Sequence, residues 1–347
     1  MTVTNSAACI GGRWASGLVD VTADLSALDS AGRWAVAIPY TGAPVCARFS
    51  TWSRDPQHTA IGRWCGPSTD AWSTSMGREQ YVAAVDATRA AIARGSVYQA
   101  NICRVMSAAR PRDFADDVGA LFRLLREGNP SPYGGFLRLP RHDVHVASAS
   151  PELFVGVRSG PTGRTIRSGP IKGTGRTVAD LTDKDAAENV MIVDLVRNDL
   201  SRVSATGTVT VPTLLEVQEH PGLVHLVSYV EGALLPGTTW PQIAAATFPP
   251  GSVTGAPKIS ALRLIDELEP GSRSYYCGAF GWVDADTGEA ELAVAIRTFW
   301  LDGDEVRFGT GAGITWGSDP DAEWRETELK AERLVKVASG TWQAGSP

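Results

Sequence analysis

A helix that is apolar almost all round, yet carries two carboxylates on one face, constrains this chain more than any other feature. From Asp183 onward, Asp185, Glu188, Ile192 and Leu195 recur at spacings of three and four. Asp185 and Glu188 therefore share a helix face. Val190, Met191, Val193 and Val196 cover most of the remaining surface, which predicts a largely buried helix. A buried carboxylate has to be paired, hydrogen-bonded or bound to a metal. Salt bridges to Arg197 or Lys184 are the plain way to meet that need. A second helix, with Ser318 as its expected cap and Pro320 near its first turn, repeats the pattern with Glu323 and Glu326. Its apolar face is Trp324, Ala331, Leu334 and Ala338. If the two helices face each other, four carboxylates converge, and like charges that close need a cation. Oxygen-only donors favour Mg²⁺, which ordinarily takes one or two protein carboxylates plus an anionic substrate.

The rest of the chain mixes strands and helices. Residues 1–75 are short apolar pieces broken by Gly, Pro, Asp and Ser, and alternation from Trp34 to Ile38 predicts a small sheet-forming N-terminal portion. Its five tryptophans (Trp14, Trp34, Trp52, Trp64, Trp72) read as core rather than as ligand-stacking residues. Helices are predicted over 81–92, stopped by Gly95, over 113–127, and from Pro257 to Pro270. Strands are expected at 96–102, 133–139, 143–147, 276–282 and 291–298, with 148–155 a turn feeding another strand and 308–314 a glycine-rich turn. No repeat or low-complexity linker divides the chain. Residues 76–340 thus form one catalytic region, joined with residues 1–75 in one compact domain.

Several function classes are disfavoured. The 347 residues carry 38 acidic and 32 basic side chains without a Lys/Arg run, so neither nucleic acid nor an anionic membrane is an expected partner. No apolar run approaches the ~18–20 residues of a membrane helix, and the start of the chain shows no signal peptide. Five scattered cysteines without a Cys-x-x-Cys spacing read as reduced thiols of a cytoplasmic protein. The run Gly309-x-Gly311-x-Gly313 lacks the strand-turn-helix context of a dinucleotide fingerprint. Lys172-Gly-Thr174 inverts the order of a phosphate loop. No Gly-x-Ser-x-Gly or His-Glu-x-x-His occurs. What stands out instead is Arg167-Ser-Gly-Pro-Ile-Lys-Gly-Thr174, one lysine between a proline turn and a Gly-Thr pair. By composition alone Lys172 is a surface lysine on a Gly/Pro turn.

Five segments carry a resemblance that changes this reading. They are Ser150-Pro-Glu152-Leu-Phe, Pro170-Ile-Lys-Gly-Thr174, the run from Glu188 to Leu200, Pro250-Gly-Ser-Val-Thr-Gly-Ala-Pro-Lys258, and the run from Asp319 to Ala331. In this order they resemble the signature segments of the chorismate-utilising enzymes, over about Tyr81 to Val335. The resemblance implies an α+β fold of two stacked, mostly antiparallel sheets flanked by helices. It also implies Lys172 as nucleophile and Glu152 as general acid. Mg²⁺ would be held by Glu188 and Glu326, with Asp185 and Glu323 reaching it through water. Tyr276, Arg297 and the backbone amides of Gly311, Ala312 and Gly313 match positions that hold substrate carboxylates, and Thr174 and His225 match pocket-lining ones. The isochorismate- and salicylate-forming branches carry a water-activating lysine where this chain has Gln99, and an amide cannot serve as a base. Anthranilate-forming members carry alanine at the Lys172 position. Gln99 with Lys172 therefore resembles the branch that aminates chorismate to 4-amino-4-deoxychorismate; anthranilate formation, or chorismate binding without catalysis, are the alternatives.

The resemblance sets a physical demand on Lys172. A lysine of ordinary pKa is neutral about once in 2,500 molecules at pH 7, so a nucleophile needs a dry pocket or positive potential. Glu152 needs the reverse, a carboxyl raised by burial. The chain is shorter than usual for the family, mostly before Tyr81, and lacks the Leu-Leu-Glu-Ser segment of the family's regulatory tryptophan pocket. No glutaminase segment is present. The expected ammonia source is accordingly a separate glutamine amidotransferase subunit or solution.

Overall fold

The alternation that marks Arg33–Ile38 as a strand also gives it a partner, because its apolar face can be covered only by residues distant in sequence. In the computed structural model, which describes residues 5–55, 61–110, 117–175, 177–220 and 223–341, it pairs antiparallel with Ala279–Asp284, Trp34 opposite Val283. The N-terminal portion is thus stitched into the C-terminal half. One run of antiparallel neighbours goes Thr210–His220, Leu223–Ala233, Gly163–Gly169, Leu153–Gly160, Glu289–Val294, Ala279–Asp284, Arg33–Ile38, Val45–Ser53, Arg13–Thr22. A second goes Tyr133–Leu139, Val144–Ser150, Thr298–Asp302, Glu305–Ile314, Gln99–Ala109. The short strand Ala7–Ile10 pairs with Arg13–Thr22 on one side and Tyr133–Leu139 on the other, joining both runs into one continuous ladder.

Among the described residues six α-helices cover the sheets: α1 (Arg78–Ala93), α2 (Val118–Gly128), α3 (Asp183–Ser201), α4 (Trp240–Thr247), α5 (Lys258–Leu268) and α6 (Pro320–Ala338). The largest core packs the two runs against each other, with Ala35, Val36 and Phe280 from one and Cys103, Leu137 and Val146 from the other. Ile192, Val193, Val196 and Leu200 of α3 join that core. A second core lies between Phe136, Phe299 and Phe308 and the helices α2 and α6. This is the α+β arrangement expected. Residues 113–116 of the second predicted helix lie outside the described residues; α2 begins at Val118, capped by Asp117.

Two expectations are corrected. α3 is not largely buried: Val190 is 42 % exposed, and the buried stripe is narrower than the apolar sequence suggests. The helix lies along one sheet face with its other side to solvent, and an almost uniformly apolar surface does not say which side that is. The cap of α6 is Asp319, which accepts from the Ala322 amide, whereas Ser318 accepts from Thr315 in the preceding turn. Asp at this position also favours the positive end of the helix.

The chain passes between the two runs at two corners, from Ser150 to Leu153 and from Val294 to Thr298. Glu152 and Arg297 sit in them.

Candidate active site

The first corner fixes Glu152. Ser150 Oγ donates to the Val294 carbonyl (2.6 Å), and the Val294 amide donates to the Glu152 carbonyl (3.0 Å). Glu152 is thereby anchored by its backbone and buried. Burial pushes its carboxyl up to about 7, opposed by the Ser252 hydroxyl, the charge of Lys172, the Ile171 amide and Arg297. That is the direction a general acid needs. Arg297, at a left-handed φ of 52°, is drawn down to about 10 by desolvation, with Glu152 opposing and Arg333 adding.

Lys172 sits in a bulge. The strand Ile171–Gly175 pairs with Leu223–Ala233, but its register slips between Ile171 and Thr174. A bulge leaves one residue out of the ladder and re-aims its side chain. Gly173 has φ 86°, and a Cβ there would lie 2.8 Å from Cβ of Asp185 in α3, so only glycine fits on both counts. His225 is buried and in register opposite Thr174; the Thr174 side chain lies outside the described residues.

The amine and the acid are joined through a residue the sequence reading did not single out. Lys172 Nζ donates to the Ser252 carbonyl at 3.1 Å, while the hydroxyl of the same serine lies close enough to the Glu152 carboxyl to oppose its rise. The loop that carries Ser252 presents several carbonyls inward, and cations meet them. Lys258 Nζ donates to Thr247 and Pro249 and pairs with Asp199 at 2.6 Å; Arg273 donates to Val253 and pairs with Glu269. Lys258 carries no spacing signal, because its partners come from α3 and from a turn; Arg273 stands four residues after its partner Glu269, but its contacts with the Val253 and Asn101 carbonyls come from distant segments.

Gln99 is buried, and its Oε1 has no hydrogen-bond partner among the described residues. Across from it lies Gly313, where a Cβ would collide with Gln99 Nε2 and sit 3.2 Å from Lys172 Nζ. Gln99 and Lys172 thus meet over one glycine. Gly309, Gly311 and Gly313 occupy one face of Glu305–Ile314, and the Tyr276 ring fills the space over Gly309. Asn101 and Cys103, opposite Gly313 and Gly311, turn their amides away to Thr254 and Glu269. In an antiparallel ladder such pairs alternate with hydrogen-bonded ones. The amides of Gly311 and Gly313 therefore point outward, whereas that of Ala312 points into the ladder.

The acidic residues come from two helices, as expected. Glu188 of α3 and Glu323 of α6 have side chains only 13 % and 5 % exposed, and Lys184 Nζ lies between them at 3.7 and 3.3 Å. Lys184 is thus the partner, while Arg197 pairs with Asp194. Glu326 pairs with Lys330 at 2.6 Å, which holds its carboxyl below the usual range. Asp185 accepts from the Thr182 amide and hydroxyl in a capping box. Among the described residues no three such side chains form a ready-made metal cage. The donor chemistry nevertheless suits a hard divalent cation. Glu188 is pushed up first by burial, with the negative Glu323 and Glu326 adding to it against Lys172 and Lys184. Carboxylates so placed gain from added positive charge.

Residues 61–336, which span every one of these side chains, match the family model described as chorismate binding enzyme. The chain belongs to the chorismate-binding enzyme family. Anthranilate synthase component 1 of Neisseria gonorrhoeae is 38% identical over 294 residues, 81% of this chain and 58% of that protein. Aminodeoxychorismate synthase component 1 of Salmonella typhimurium is 34% identical over 310 residues, 86% of this chain and 65% of that one. The chain therefore spans less than two thirds of the length of these curated relatives. The crystal structure of anthranilate synthase component I from Streptococcus pneumoniae superposes with a TM-score of 0.75 at 26% identity, covering 90% of this chain and 84% of that one. The menaquinone-specific isochorismate synthase of Escherichia coli shares the fold, with a TM-score of 0.75 at 18% identity over 97% of this chain and 89% of that one. Among the described residues no helix is long and apolar enough to cross a membrane.

Proposed function

We propose that this chorismate-binding enzyme aminates chorismate at C4, as an aminodeoxychorismate synthase component I, giving 4-amino-4-deoxychorismate for para-aminobenzoate and folate synthesis. The observation that carries this reading is the joint placement of Lys172, Glu152 and Gln99 in one pocket, Lys172 and Glu152 bridged by Ser252. Glu152, a carboxyl near 7, donates its proton to the 4-hydroxyl oxygen as the C4–O bond breaks and water leaves. Lys172 Nζ, in its neutral form, bonds to C2 as the ring double bond shifts. Ammonia then attacks C4, the C2–N bond breaks, and Lys172 leaves with that electron pair. The excess proton on the new amine returns to the Glu152 carboxylate.

Gln99 offers an acceptor and no base, so nothing at that position activates water. Arg297 and the outward amides of Gly311 and Gly313 are the donors for the substrate's carboxylates, Tyr276 and His225 pack the walls, and Thr174 lines the pocket in this reading. A Mg²⁺ held by Glu188 and Glu326, with Asp185 and Glu323 behind water, would supply a positive anchor for the ring carboxylate. In this reading ammonia comes from a separate glutamine amidotransferase subunit, and the reaction runs in the cytoplasm, where thiols stay reduced.

The test is product identity by mass after incubation with chorismate, Mg²⁺ and ammonium, with and without an added lyase. The expected product is aminodeoxychorismate, converted to para-aminobenzoate only when the lyase is present. Anthranilate formed without a lyase would assign the chain to the other named branch of its relatives. Chorismate binding without turnover would make it a non-catalytic subunit.

A further inference from the structure

Lys184 stands in the first turn of α3, where the helix dipole favours anions and a lysine gains nothing from the helix itself. Its Nζ reaches instead toward α6, to Glu323 at 3.3 Å, and back to Glu188 at 3.7 Å. The two carboxylates are nearly buried, at 5 % and 13 % exposure, while the Lys184 side chain is 47 % exposed. Two acidic groups from different helices therefore share one ammonium whose stem has an open path to solvent. An ammonium at these distances balances charge without coordinating. A divalent cation such as Mg²⁺ needs carboxylate oxygens at about 2.0–2.1 Å and brings twice the charge. The two cations cannot occupy the same gap.

We propose that Lys184 is a built-in competitor for the divalent cation held by Glu188: its ammonium fills the gap toward Glu323 that the metal and its water would take, and it must swing to solvent for them to enter. This rests on the reading of those carboxylates as a cation site. Two consequences follow from charge balance. The cation-free enzyme keeps its two helices together without metal, and its metal affinity is set lower than the bare carboxylates would give. Glu326 is held differently, since its partner Lys330 also donates to the Gly311 carbonyl and is tied to its own sheet strand. Lys184 has no carbonyl contact of that kind among the hydrogen bonds of the described residues, which leaves it the mobile member.

The experiment is a calorimetric titration of Mg²⁺ into the full chain stripped with EDTA, without substrate, for wild type, Lys184→Met and Lys184→Arg. Lys184→Met keeps the stem and removes the charge. It is expected to bind Mg²⁺ about tenfold more tightly or better, while Lys184→Arg stays within about threefold of wild type. In EDTA, Lys184→Met melts below wild type, and saturating Mg²⁺ removes the difference. Equal or weaker Mg²⁺ binding by Lys184→Met overturns the proposal and leaves the cation site standing. If neither wild type nor Lys184→Met takes up Mg²⁺, the cation-site reading fails and the proposal falls with it.

Discussion

Lys172 and Ser252 are joined by a hydrogen bond from the lysine Nζ to the serine carbonyl, 3.1 Å long, and the hydroxyl of the same serine reaches Glu152. One residue of the 247–256 loop thus sets the separation between the amine and the acid. The charged neighbours that feel Lys172 are carboxylates, namely Glu152, Glu188 and Glu326. A divalent cation held by the nearby carboxylates would add the positive potential that a neutral amine requires.

Replacing Lys172 by Ala removes the bond-forming nitrogen while leaving Glu152 and the carboxylates in place. Aminodeoxychorismate formation is expected to fall on the order of 10³-fold or more, read by mass of the products, with chorismate still bound in a calorimetric titration. Undiminished amination would falsify the nucleophile assignment.

Glu152 gives a pH signature in both rate and stability. Its carboxyl is raised from 4.5 to about 7 by burial, so the acid form needed for proton donation is lost above that pH. The rate is expected to fall on the alkaline side of pH 7, and Glu152→Gln to be inactive without that limb. For stability the sign is the reverse of an ordinary ion-paired carboxylate. The unfolded group ionises near 4.5 and the folded one near 7, so this contribution is whole below 4.5 and lost as pH rises through 7. A shift of this size corresponds to roughly 3 kcal/mol. Urea midpoints at pH 4.5 and pH 8 should diverge less for Glu152→Gln than for wild type; equal divergence would show that the carboxyl is not raised.

Gly313→Ala places a methyl against Gln99 Nε2 and 3.2 Å from Lys172 Nζ. Overpacking of this kind costs about 1–3 kcal/mol, and here it falls on the reacting amine. The turnover number is expected to drop at least about tenfold, with a small change in melting temperature. An unchanged turnover number would mean that Gln99 and Lys172 do not meet over Gly313 in the working enzyme.

Lys258 is tied to Asp199 and to the carbonyls of Thr247 and Pro249. Lys258→Met strands a nearly buried carboxylate and two carbonyl acceptors, which costs about 3–5 kcal/mol. Denaturant unfolding should show that loss, and the double variant with Asp199→Asn should recover part of it. No difference between the single and double variants would show that the pair is not coupled.

Glu326→Gln should weaken the saturation of activity by Mg²⁺, measured as a metal titration at fixed chorismate. A titration identical to wild type removes Glu326 from the ligand set.

Much of this site was legible in residue order. Spacing put Asp185 with Glu188 and Glu323 with Glu326 on shared helix faces, and the signature segments pointed to Lys172, Glu152 and Gln99. Alternation from Trp34 to Ile38 marked a strand, which the structure buries on both faces, and the periodicity of α6 named its inward face, with Ala331 and Leu334 buried. These are local properties, fixed by backbone geometry at two or 3.6 residues per repeat. Three-dimensional contact decided the rest. Whether α3 is buried on one side or all round, whether the partner of Glu188 is Arg197 or Lys184, and that Ser252 spans Lys172 and Glu152 all depend on segments far apart in sequence. Which amides of Gly311, Ala312 and Gly313 face outward depends on strand pairing, since periodicity gives the face of a side chain but says nothing of a ladder's partner. The sequence by itself determined which groups are present and which helical or strand face each occupies. Only the tertiary structure decided which of them touch, because a charge or a hydrogen bond is settled by distance in space and not by distance along the chain.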